Sequence, residues 1–97
     1  MLAPPNADIE INRACAFGQK YSHLIDPKVN REISESVQAE LTKARAGALA
    51  SVQKSLALDP PSSVRLKELL WVSADAQDND LSAFQSDTAF NALLPRT

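Results

Sequence analysis

The chain has 97 residues, a net charge of −2 from ten Lys and Arg against twelve Asp and Glu, two glycines and one cysteine. These numbers allow one modest hydrophobic core and exclude an internal disulfide and a glycine-rich phosphate cradle. The charge is uneven, because residues 68–97 hold five acids and a single base, Arg96; phosphate binding needs clustered Lys and Arg, so nucleic acid is not the expected ligand.

Alanine is abundant and aromatics are few, which points to an all-α fold cored by Leu, Ile, Val and Ala rather than a β-rich one. Residues 1–6 contain Pro4 and Pro5 and read as an extended tail. A single helical domain over 7–94 follows, with 95–97 as a C-terminal tail. The first helix, capped by Asn6 or Asp8, runs to about Leu24. Its apolar face is Ile11, Ala14, Cys15, Gly18, Tyr21 and Ile25, widened by Phe17 and Leu24, at spacings of three and four.

Asp26-Pro27 supplies a second start signal, a cap followed by proline at the first helical position. No proline then occurs before Pro60, so 28–58 is predicted as one long central helix with three shorter helices packed around it. Its stripe is Val29, Ile33, Val37, Leu41, Ala44, Ala48, Val52 and Leu56, and Glu40 and Lys43 can pair on its polar side. Asp59-Pro60-Pro61 ends it. A third helix, capped by Ser62 or Ser63 and ending near Asp75, carries Val64, Leu66, Leu69, Leu70, Trp71 and Val72. Residues 76–80 read as an acidic loop. A last short helix, from about Leu81 or Ser86 to Leu94, offers Phe84, Phe90, Leu93 and Leu94 and is stopped by Pro95.

No catalytic pattern emerges. His23 is the sole histidine and sits in a predicted last turn, where the helix dipole favours positive charge. Cys15 is eight residues away, about 12 Å along a helix, too far to share a site with it. Cys15 is expected to fill the core as a small hydrophobe. Asp75, Asp78, Asn79 and Asp80 lack the glycine and glutamate that a calcium loop requires at its sixth and twelfth positions. Arg65 and Lys67 are too few to read a nucleic-acid groove. No cofactor, metal, membrane or small-molecule substrate is expected. The first ten residues have no basic start followed by an apolar run, so no secretory signal is expected and the location is read as cytoplasmic.

The functional expectation rests on length. A helix over 28–58 would be roughly 46 Å long, whereas a compact chain of this size is about 32 Å across. A projecting end would leave apolar side chains wet, and such patches mark interaction sites. The middle of the helix is small (Ala44, Ala46, Gly47, Ala48, Ala50, Ser51), which suits either a bend at Gly47 or a close helix crossing, within the chain or across a homodimer. The candidate partner-binding residues are therefore Ala44, Gly47, Ala48, Val52, Leu56, Leu70 and Trp71. The expected role is a small non-enzymatic regulatory protein that occludes a surface of a larger protein. An anti-activator of a transcription factor, an inhibitor or immunity protein and a secretion-type chaperone fit that description; the alternative is a structural homo-oligomeric helical subunit with no regulatory role.

Overall fold

Asn6 opens the first helix by accepting the Ile9 amide on its side chain at 2.9 Å, a cap for one of the donors a helix start leaves over. The computed structural model describes residues 6–29, 31–72 and 80–95; residues 1–5 and 96–97 of the predicted tails (1–6 and 95–97) and most of the predicted acidic loop lie outside them. Among the described residues there are four α-helices and no strands: α1 (Ala7–Ile25), α2 (Glu35–Leu58), α3 (Ser63–Leu70) and α4 (Thr88–Leu93). Short 3-10 turns at Pro60–Ser62 and Ser82–Phe84 lead into α3 and α4. The all-α architecture is as expected.

The α1–α2 pair is antiparallel and is the main seam of the molecule. Helix axes can approach closely only where side chains are small, and Gly47 provides that place. A Cβ built on Gly47 would lie 2.6 Å from ring atoms of Phe17, so the ring rests on bare backbone. The small-residue run thus serves a close crossing within the chain, and α2 continues through Gly47 as helix. Ala14, Ala44 and Ala48 are sealed in the seam, and Val52 continues it. Polar contacts fix the register: Lys20 Nζ meets Glu40 Oε2 at 2.9 Å on the outside, and Ser55 Oγ donates to the Ala7 carbonyl at 3.4 Å near the other end.

That register corrects the predicted central helix, which begins at Glu35 rather than Lys28. Facing residues have numbers adding to about 62 (Lys20 with Glu40, Phe17 with Gly47, Ala7 with Ser55). The end of α1 at Ile25 therefore lies level with about residue 37. A helix starting at Lys28 would begin nine residues earlier, roughly 13 Å past the end of α1. With axes 8–10 Å apart, the link from Ile25 to Lys28 would have to cover about 16 Å. Three residues reach about 11 Å at full stretch. Even a stretched link first becomes long enough near residue 30. The Asp26-Pro27 signal acts, but for one turn only: Asp26 Oδ1 accepts the Lys28 amide and its carbonyl accepts the Val29 amide, both at 2.9 Å. Ser34 then caps α2 by accepting the Val37 amide at 3.2 Å.

The length mismatch disappears with this correction. Twenty-four residues make about 36 Å of helix, and the molecule measures 40 × 36 × 24 Å. No end of α2 projects with a wet stripe. Two other boundaries also move. Helix α3 stops at Leu70, short of Asp75, and the last helix divides into the 3-10 turn 82–84 and α4.

Gly18 makes a second close approach, since a Cβ there would fall 2.0 Å from the Asp80 carbonyl oxygen. A backbone atom cannot turn aside as the Phe17 ring can. Gly18→Ala and Gly47→Ala each gain up to about 1 kcal/mol of helix propensity. Overpacking costs about 1–3 kcal/mol and outweighs that gain. Urea denaturation should show both variants destabilised, Gly18→Ala the more.

Candidate functional site

The residues that the sequence marked for a partner lie inside the folded chain. Ala44, Ala48, Val52 and Leu70 are at most 1% exposed. Gly47 lies under Phe17, and Leu56 and Trp71 are half-buried against the core. Helix α1 covers the Ala44–Val52 part of this stripe, and the C-terminal segment, residues 80–95, closes the core beside it. Its four anchors, Leu81, Phe84, Phe90 and Leu94, are fully buried and join Val52, Leu66, Leu69 and Leu70 in one cluster. The Phe84 and Phe90 rings stack with centroids 4.4 Å apart, and Tyr21 of α1 leans on Phe84 at 4.8 Å. Aromatic pairs of this kind add about 0.5–1.5 kcal/mol to the area they bury.

Besides a Gln19–Asp80 hydrogen bond to α1, three sets of polar contacts hold the segment. Arg45 of α2 grips Asp87 through both carboxylate oxygens, at 2.5 and 3.0 Å. Asp87 also caps α4 by accepting the Ala89 amide at 3.0 Å. The Trp71 indole N–H donates to the Leu94 carbonyl at 2.8 Å. Gln85 donates to the Leu70 and Val72 carbonyls, at 2.8 and 2.6 Å, and so satisfies acceptors that the end of α3 leaves over where no glycine terminates the helix. The sequence reading missed Gln85 and the Arg45–Asp87 pair. Only the Asp87 cap could have been found, as an Asp immediately before a short apolar helix.

The Arg45 guanidinium holds the Asp87 carboxylate below its ordinary pKa, with the Ala89 and Phe90 amides helping, while burial opposes. A carboxylate with a depressed folded pKa contributes stability above its unfolded value of about 3.9 and loses it as pH falls through the folded value. Thermal melts of wild type and Asp87→Asn should therefore differ at pH 5–7, with the variant about 1 kcal/mol less stable. The difference should close as pH drops below 4. Added salt should narrow it at neutral pH.

The exposed apolar surface lies elsewhere. Ile25, the last residue of α1, and Val29 and Ile33 of the connection to α2 are 42%, 46% and 47% exposed. They recur every fourth residue, in step with Val37 and Leu41 of α2, yet the register described above keeps Val29 off that helix. Lys28, Arg31, Glu32 and Glu35 lie exposed around them. At the opposite end of the hairpin, Leu58 and Val64 are also exposed.

An open cleft of about 610 Å³ runs between α1 and α3, lined by residues that include Asp8, Asn12, Cys15, Gln19, Arg65 and Asp80. Gln19 ties its far wall by donating to Asp80 Oδ1 at 3.0 Å. Cys15 packs partly buried against the core, as its spacing implied. His23 is exposed in the last turn of α1. Glu10 is a buried carboxylate on α1. Arg13 holds its Oε1 at 3.0 Å, and Oε2 has no hydrogen-bond partner. Asp75, Asp78 and Asn79 fall outside the described residues, among which no three His, Cys, Asp or Glu are grouped to hold a metal. Among the described residues no helix is long and apolar enough to cross a membrane. No family model, curated protein or solved structure matches the chain.

Proposed function

We propose that this chain is a small regulatory protein that works by occupying a surface of a larger protein, with the α1–α2 connection as its docking edge. The observation that carries the reading is the exposure of Ile25, Val29 and Ile33 within nine residues. Single exposed aliphatics are ordinary, but three large ones at one end of the hairpin form a patch of the kind that binding covers. The helix register keeps Val29 off α2, and Ile33 stands just before the Ser34 cap, so neither lies on a packed helical face. Lys28, Arg31, Glu32 and Glu35 form a charged rim that would set orientation and partner choice.

The role is non-catalytic: the apolar edge binds and the rest of the chain supports it. An anti-activator, an inhibitor or a chaperone would each use it in the same way. A single cysteine outside any disulfide fits a reducing, cytoplasmic setting.

Val29→Glu and Ile33→Glu, singly and together, should leave the far-UV spectrum and urea midpoint within about 0.5 kcal/mol of wild type, because both sites are already in water. The same changes should abolish co-purification of a stoichiometric partner from extracts of the source cells. Val64→Glu, at the other end of the hairpin, should retain that partner. Equal capture by the double variant and wild type would remove the connection as the docking edge.

A further inference from the structure

We infer that residues 80–94 are a releasable strap, which opens while the α1–α2 hairpin stays folded and uncovers a second, latent docking groove. That groove is formed by Leu66, Leu69 and Leu70 of α3 with Val52 at the edge of the α1–α2 seam, the residues that share a buried cluster with the strap's anchors. The inference goes beyond the docking edge at the hairpin turn and does not depend on it.

The strap has little order of its own. Helix α4 is six residues long and the 3-10 turn before it three, far below the length at which an isolated helix is stable in water. It is ordered by what it lies on, through four buried anchors and the hydrogen bonds made with Gln19, Arg45, Trp71 and the Leu70 and Val72 carbonyls. The hairpin is different. It has its own seam at Phe17 and Gly47, its own ion pair at Lys20–Glu40 and its own buried Ser55–Ala7 contact, and none of these involves residues 80–94. Local opening follows such differences in independent support. The latch at Arg45 is partly exposed, its side chain 41% accessible, so water and salt reach it.

The strap also specifies what can replace it. The groove accepts two stacked aromatic rings flanked by leucines, and Arg45 waits at its rim for an acid at a helix start. The occupant is therefore a short amphipathic helical segment of a partner protein. It would carry Phe and Leu anchors in the arrangement of Leu81, Phe84, Phe90 and Leu94, with an Asp two residues before its first helical alanine. Helix-in-groove recognition of this type uses a few anchors to displace a resident segment.

Hydrogen exchange on the full chain tests the opening, and a fluorescent peptide of residues 80–95 tests the groove. The amides of Phe84, Phe90 and Leu94 should exchange at least about tenfold faster than those of Ala48 and Val52. Asp87→Asn should speed the strap amides a further three- to fivefold or so while sparing the hairpin. The peptide should bind the Asp87→Asn chain more tightly than wild type by about the same factor, and a Phe84→Ala, Phe90→Ala peptide should not bind. Strap and hairpin amides exchanging together in wild type would overturn the inference, even if the variant failed to fold. So would a peptide that binds neither chain, or both equally. Loss of partner capture in the Val29 and Ile33 variants would leave this result untouched.

Discussion

The contact between the Phe17 ring and the bare backbone of Gly47 is the constraint on which the rest of the structure depends. It brings α1 and α2 close enough for Ala14, Ala44 and Ala48 to fill the seam, and it fixes which residues face one another. Once Phe17 is opposite Gly47, Lys20 reaches Glu40 and Ala7 reaches Ser55 without further adjustment. Neither polar contact would set the register alone. An exposed ion pair such as Lys20–Glu40 is screened by water and discriminates little, and Glu40 also has Lys43 at 3.9 Å as an alternative neighbour. Close packing discriminates more sharply, because a shift by one residue drives a side chain into a ring.

From the register follows the shape of the outer surface. A shortage of chain keeps the helix from starting before about residue 30, and the Ser34 cap sets its start at Glu35, so Val29 and Ile33 are left between two helices whose apolar faces are already joined. The chain thereby acquires an exposed edge as a by-product of its best-packed interior. The C-terminal segment completes the other side. It supplies Leu81, Phe84, Phe90 and Leu94 to a core that α1, α2 and α3 leave incomplete, and Gln85 and Asp87 supply the hydrogen bonds that short helices cannot provide for themselves. The molecule therefore has one displayed apolar edge beside the hairpin turn and one apolar surface covered by its own C-terminal segment.

Local signals in the sequence were reliable where the chain has only its neighbours to answer to. The Asn6 cap, the end of α2 before Pro60 and the inward face of α1 at Ile11, Ala14 and Gly18 all stand in the structure. The partner-binding set did not transfer as directly. Ala44, Ala48 and Val52 were marked because a 46 Å rod seemed to outrun its globule, and a shorter helix removes that reason while burying them. Gln85 could not have been singled out at all, since a glutamine gives no sign of which carbonyls it will find.

The amino-acid sequence by itself determined the helical class, the inward faces, most helix ends and the small-residue track that permits a close crossing, because these depend on propensity, capping and periodicity within a few residues. Only the tertiary structure decided where α2 begins, which apolar side chains stay in water and what the C-terminal residues cover. Those outcomes depend on how far a link can reach between two helices held in a fixed register, and that distance exists only once Phe17 has settled on Gly47.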